Sequence, residues 1–433
     1  IPLVQTLGIA AAVGVAVMMV AALTLLPALL GFAGRRIDAV RLPFVGKEGP
    51  ADPTQSFWGR FARRVTHRPW WFLIAGTAVL ILIALPFLKI HFGMPDDSSL
   101  PSSLSQQRAF VATTKAFGPG ANGPLIVAVA LPTKDPQAYT QALEALAPIN
   151  DAVGALQPPN TVPGVQYSVG PIPNDADAVT AVVYELTPTT APDDSATTDL
   201  VKRLRADLAE ATAGTPFSAS VGGQTATLID LTDVVTRYLP WVIGAVVLGA
   251  FILLVIVFRS ILVPLKAAIM NLISIAAAYG VVVMVFQWGW AKGAVGLEST
   301  IPIVSFVPLV MFVILFGLSM DYEVFLMSRI REEWDRTGNP HDSVVLGVAN
   351  TARVITTAAL IMIVVFGSFV TNASPTVKLI GFGMAVAVLI DSTLLRMVMV
   401  PAVMALLGKA AWWFPSWLGW LPHLDLSEGE LEG

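Results

Sequence analysis

Two carboxylates flank a phenol in "LFGLSMDYEVFLMSRIREEWD", Leu315 to Asp335, at the end of an apolar run that opens near Ile301. The run reads as a membrane-crossing helix, which puts Asp321 and Glu323 where an ionised carboxylate costs about 2.5–3.5 kcal/mol even on the lenient insertion scales. A carboxyl group kept there against that cost suits proton uptake and release, because protonation removes the charge that the apolar surroundings oppose. Asp321 stands eight residues before Arg329, about 12 Å along a helix axis. Gly317 and Ser328 share its face, and a glycine lets a neighbouring helix come close. Tyr322 points about 100° away from Asp321 and is placed to cap a contact with another helix. Glu323 points nearly opposite and is expected to tolerate glutamine. Gly317, Ser319 and Glu323 are candidates for a supporting role around the Asp321 and Tyr322 pair.

Arg353, Asp391 and Arg396 are further ionisable residues inside apolar runs. Five α-helical residues turn about 140°, so Asp391 and Arg396 make poor partners within one α-helix. Each is expected to look to a neighbouring helix, with Asp391 pairing with Arg353 and all three serving packing more than transport. Two intramembrane aspartates also invite comparison with an aspartyl intramembrane protease, in which two carboxylates share a proton. The surroundings "SMDYE" and "LIDST" do not carry that family's YD and GxGD patterns, and no HExxH stands for a metalloprotease.

The elements that position these residues follow from composition. A chain of 433 residues that is 55% hydrophobic and 13% charged, with mean hydropathy +0.71, is too apolar for a soluble domain with one core. The lack of cysteine excludes a disulfide framework and thiolate metal sites, and His67, His91, His341 and His423 are scattered. No cofactor is expected beyond protons as coupling ion. A net charge of -4 without a basic block excludes a nucleic-acid partner. The opening residues lack a basic n-region and a cleavage site, so they read as the interior of a longer protein and not as a signal peptide.

Seven apolar runs have membrane-crossing length: 7–31, 70–88, 239–258, 261–288, 301–328, 349–371 and 377–407. They are too long and too continuous for barrel strands, so they are helices. Arg35, Arg36, Arg60, Arg63, Arg64, Arg68, Arg259, Lys266, Arg329, Arg331 and Arg336 fall on one side if the spans alternate, which makes that side cytoplasmic. "FWGRFARRVTHRPWW" reads as an interfacial amphipathic helix whose arginines meet anionic membrane lipids. Residues 89–238 alternate strand-like and helical patterns in the order βαββαβ, the split βαβ of ferredoxin-like folds. The expected organisation is a last transmembrane helix of an upstream half at 1–34, a cytoplasmic linker at 35–69 and a transmembrane helix at 70–88. An extracytoplasmic α+β porter domain at 89–238, a five-helix transmembrane bundle at 239–408 and a cytoplasmic tail at 409–433 follow. A faint repeat, "LLPALLGFAG" and "MVPAVMALLG", ends the first and last spans, as internal repeats do in transporters.

With "FGLSMDYEVFLMSRIREEW", "TARVITTAALIMIVVFGSF" and "KLIGFGMAVAVLIDSTLLRMVMVPAVMALLGKAAWW" in place, the chain resembles the second half of a member of the MMPL family of the resistance-nodulation-division (RND) superfamily. The resemblance implies an RND-type membrane α-helical bundle with a ferredoxin-like porter domain. It implies proton-driven export of lipids, glycolipids or related hydrophobic metabolites from the inner membrane to the cell envelope. Each half of such proteins carries an Asp-Tyr pair in its fourth helix, which here is Asp321 and Tyr322, so a second pair belongs to the first half. The partners implied are the hydrophobic cargo, that first half, and accessory envelope proteins or an oligomer. A non-transporting scaffold or lipid sensor of the same superfamily is the alternative.

Overall fold

The computed structural model describes residues 2–34, 53–131, 146–154, 162–175 and 179–418. Among them, seven helices are long and apolar enough to cross a membrane. Helix α1 (Pro2–Ala33) belongs to a unit of its own, Ile1–Ser56, and the rest of the chain forms a second unit. The linker residues 35–52 and the tail 419–433 lie outside the described residues.

The second unit opens with α2 (Phe57–His67) and α3 (Pro69–Ala84). Ala62 and Val65 of α2 are fully buried, while Arg60, Arg63, Arg64 and Arg68 face outward. The strand β1 (Phe92–Gly93) and helix α4 (Ser105–Phe117) lead into a four-stranded sheet. Its strands are β2 (Leu125–Ala130), β3 (Val165–Pro173), β4 (Ala181–Pro188) and β5 (Ser218–Gly222), in the order β3-β4-β2-β5. All neighbours are antiparallel, with Leu125 opposite Leu186 and Val127 opposite both Tyr184 and Val221. Helices α5 (Ala147–Val153) and α6 (Ser195–Ala211) carry Ile149, Val153, Leu200 and Leu204 into the core formed with Val127, Val129 and Leu186. Alternation along β2 explains why: its odd-numbered residues are buried, whereas Ala128 and Ala130 are exposed, the period of a half-covered strand. Tyr184 donates from its hydroxyl to Asn150 Oδ1 at 2.7 Å, so the one phenol in this core has a partner. Most of the helix expected at Pro136 to Leu156 lies outside the described residues.

The third span corrects a boundary. Where the sequence suggests a domain end at 238 and a helix from 239, a single helix α7 (Gln224–Phe258) runs for 35 residues. That is about 52 Å, against a hydrocarbon thickness of about 30 Å. Its first turns belong to the sheet core, through Ala226 and Ile229. The polar residues of those turns hide the helix from a hydropathy scan, but nothing in them breaks it.

Helices α8 (Leu262–Val282), α9 (Val307–Thr337), α10 (Pro340–Ser368) and α11 (Pro375–Ile390) complete the bundle, and α12 (Val400–Leu407) ends it after a π-helical stretch, Asp391–Met399. The start expected at 301 is instead a short strand, β6 (Ile303–Val304), parallel to β1 with Phe92 opposite Ile303. A buried two-residue strand is as apolar as a helix turn, so hydropathy cannot separate them. The expected loop 329–348 contracts to Gly338 and Asn339: Gly338 closes α9 at φ +65°, and Asn339 Oδ1 accepts from the backbone N–H of His341 at 3.0 Å to open α10.

α8 is the most enclosed helix of the bundle, with α3 on one side and α11 on another. The close approach rests on Gly280, where an added Cβ would fall 1.9 Å from the Ile83 carbonyl oxygen. Gly280→Ala must push α3 away from α8 and is expected to destabilise the protein by about 1–3 kcal/mol, visible as a lower melting temperature in detergent. Cysteines at exposed Ser195 and Thr337 test the orientation. In intact spheroplasts an impermeant thiol reagent is expected to label the Ser195 site and spare the Thr337 site.

A buried charge cluster as candidate functional site

The stretch that follows α11 sets the centre of the site. In a π-helix the backbone bonds close from i to i+5, which brings residues five apart onto one face. Asp391 and Arg396 are so spaced, and Arg396 Nε donates to Asp391 Oδ2 at 2.8 Å. The separation of about 140° expected for an α-helix therefore does not apply, and the partner of Asp391 is Arg396 and not Arg353. Arg353 sits exposed on α10.

Arg396 is completely buried. Its Nη2 donates to the Ser319 carbonyl oxygen and, at 3.0 Å, to Ser319 Oγ on α9. Ser319 Oγ in turn donates to Asp391 Oδ1 at 2.7 Å, with Asn271 Oδ1 of α8 as alternative acceptor at 2.9 Å. Across α9, Glu323 Oε2 lies 3.8 Å from Arg396 Nη1. Glu323 Oε1 is ion-paired with Lys266 Nζ of α8, both side chains being buried. Two cations and two carboxylates thus alternate across three segments of the bundle, Lys266, Glu323, Arg396 and Asp391, with formal charges that cancel. The Tyr322 ring stacks under the Arg396 guanidinium at 5.2 Å, and its hydroxyl points to Met362 Sδ at 3.5 Å.

One expectation changes here. Glu323 is no bystander on an outer face: it is 1% exposed and holds a buried lysine. Glu323→Gln leaves Lys266 without its counter-charge, and breaking a buried pair in this way costs about 3–5 kcal/mol, so the variant is expected to accumulate poorly and to melt early. Lys266 lies within the apolar run expected at 261–288, and α8, which begins at Leu262, carries it into the bundle. The signal for Lys266 was a lysine within one turn of a long apolar helix; for the pair itself there was none, since 57 residues separate its members.

Asp321 faces the other way. It is exposed on α9 together with Val313, Ile314, Gly317 and Phe325, an apolar stripe with one carboxylate in it. An added Cβ at Gly317 meets nothing within 4 Å. Asp321 and Asp391 therefore do not form a carboxylate dyad: one faces outward and the other is tied to an arginine. Beside Asp391 a cavity of about 20 Å³ is lined by Asn271, Ser319, Tyr322, Met362 and Ser392 among others, just large enough for one water.

A larger cavity of about 470 Å³ opens beside the sheet. Phe92, Met94, Phe110 and Leu228 give it apolar wall, and Asp96 and Asp193 give it acidic wall. Burial, with the Asp96 carboxylate close by, pushes the Asp193 carboxyl above the usual carboxylate range.

The MMPL family model matches residues 1–71 and 100–420. The chain belongs to the MMPL family. It is 36% identical to the mycolic acid-containing lipids exporter MmpL11 of Mycolicibacterium smegmatis, over 99% of this chain and 44% of that protein. It is 36% identical to the heme uptake protein MmpL11 of Mycobacterium tuberculosis, over 98% of this chain and 43% of that protein. The trehalose monomycolate exporter MmpL3 of Mycobacterium tuberculosis is 28% identical over 91% of this chain and 44% of that protein. The chain spans about half the length of these relatives, whose names make them transport proteins. With seven helices among the described residues long and apolar enough to cross a membrane, it is a multi-pass membrane protein.

Proposed function

We propose that this chain is the second half of a proton-driven exporter in the plasma membrane, which carries lipids, glycolipids or related hydrophobic metabolites toward the cell envelope. The observation that carries the reading is the setting of Asp321. Among the described residues it makes no hydrogen bond or ion pair, and it stands on an apolar helix face with open space at Gly317. A carboxylate so placed needs a partner or a proton. A complementary half packed on this face supplies the partner, with Tyr322 as hydrogen-bond donor to a carboxylate or water on that half. Relatives twice as long support such a half.

The sheet domain is the porter domain in this reading. Its strand order β3-β4-β2-β5, with helices after the first and third of those strands in chain order, matches the ferredoxin-like βαββαβ pattern. The continuous α7, which carries Pro240 within it, joins it to the bundle, so a shift in helix packing driven by protonation reaches the domain along one helix. The cavity beside the sheet offers apolar wall to an acyl chain and polar wall to a head group. Export by the full-length protein in vesicles is expected to need an imposed proton gradient and to stop on adding a protonophore. Export unaffected by the protonophore overturns the coupling; no export under any gradient favours the scaffold or sensor.

A further inference from the structure

The chain enters the sheet domain through a short extended segment, and the outer end of α8 holds that segment. After α3 a 3-10 turn ends at Lys89, and β1 begins at Phe92. A π-helical turn, Val283–Gln287, extends α8 and ends on Gln287. The Gln287 side-chain amide grips the segment at two points. Its Nε2 donates to the Lys89 carbonyl oxygen at 2.8 Å, and its Oε1 accepts from the His91 backbone N–H at 2.9 Å. One step further, the His91 carbonyl oxygen accepts from the Ile303 N–H of β6 at 3.0 Å. The amide therefore stands where a parallel partner strand would place a peptide unit, and it continues the ladder of β1 and β6 back to α8. The Phe87 and Tyr279 rings, 5.5 Å apart, pack the same seam.

The segment so held is a wall of the larger cavity. His91, Phe92, Gly93, Met94 and Asp96 line the space of about 470 Å³ beside the sheet. Gly93 fits tightly there, since an added Cβ would fall 3.0 Å from Pro302 Cβ. Toward its other end α8 carries Lys266 and Asn271 to the charge cluster. Asn271 precedes Gln287 by 16 residues, about 24 Å along a helix. One enclosed helix thus meets the cluster within the bundle and grips the cavity wall outside it.

We infer that Gln287 is a positioning residue for transport, the clamp through which movement of α8 reaches the wall of the cavity. The inference rests on the proposed proton coupling and gives it a route separate from α7. An amide suits the task, because one side chain must donate to a carbonyl oxygen and accept from an N–H two residues further on. Glutamate keeps the acceptor, offers no donor and sets a carboxylate against the Lys89 carbonyl oxygen. Leucine supplies neither bond. The backbone pairing of β1 with β6 does not use the Gln287 side chain, so variants at this position are expected to fold.

The test joins hydrogen–deuterium exchange, read by mass spectrometry on the purified full-length protein in lipid nanodiscs, to export and proton flux in vesicles. In Gln287→Leu, peptides covering residues 89–94 are expected to exchange about tenfold faster at unchanged yield. Lipid exported per proton moved is expected to fall about fivefold or more in that variant, and by less in Gln287→Glu, which keeps the bond from His91. Asp321→Asn is expected to alter exchange over residues 89–97 in the otherwise natural chain and to lose that effect beside Gln287→Leu. Wild-type exchange at 89–94 in Gln287→Leu overturns the inference, and so does faster exchange with the wild-type ratio of lipid to protons. Should Gln287→Leu fail to accumulate, Gln287→Glu decides by the same two readings. Should wild-type export ignore the proton gradient, the transport reading fails. The clamp then stands if the Asp321→Asn effect on exchange is lost beside Gln287→Leu, and it falls if that effect persists there or is absent from the otherwise natural chain.

Discussion

Replacing Arg396 by methionine is expected to abolish accumulation of folded protein. The guanidinium is fully buried and serves Asp391, the Ser319 carbonyl oxygen and Ser319 Oγ at once, with Glu323 at 3.8 Å. Methionine fills much of the same space but leaves Asp391 without its cation and the cluster with an uncompensated negative charge. Loss of one member of a buried pair typically costs about 3–5 kcal/mol, on top of the carbonyl left without a donor. The check is the yield of the monodisperse membrane-extracted protein and its melting temperature. A second variant separates charge from shape: Arg396→Met combined with Asp391→Leu removes both charges and is expected to recover much of the yield, since apolar replacements of buried pairs are often neutral. Normal yield from the single variant would show that the cluster contributes little to folding.

Asp321→Asn is expected to do the opposite, leaving folding intact and abolishing export. Asparagine keeps the size of the side chain and removes a charge from an apolar helix face, so insertion becomes easier and not harder. It cannot take up and release a proton. Tyr322→Phe loses only the hydroxyl and keeps the ring under Arg396, so it is expected to impair export no more than Asp321→Asn does. Export and yield measured side by side for the two variants check both statements.

Much of this architecture was legible in the sequence, and the reasons for the gaps are physical. Apolar runs locate the seven membrane-length helices of the described residues because lipid-length segments must satisfy their own backbone, and the short apolar run bounded by Gly and Pro in "GPLIVAVALP" marks β2. Asp321 stood out because one charge in an apolar run needs no tertiary knowledge to be noticed. The pairing of the other charges did not follow. Asp391 and Arg396 look mismatched only if the backbone is α-helical, and a π-helical stretch reverses that conclusion. Glu323 and Lys266 meet across two helices, a tertiary contact that helical periodicity leaves open. A helix apolar on all sides likewise conceals which of its faces is buried, so Asp321 and Glu323 exchanged places between expectation and structure.

The account rests on Asp321 carrying protons during transport, and the direct measurement is proton movement into vesicles holding the full-length protein, followed with a lumenal pH dye while lipid export is followed in the same sample. The account predicts proton flux that accompanies export in the wild type and disappears with it in Asp321→Asn, at equal amounts of inserted protein. Proton flux and export at wild-type rates in that variant would contradict it.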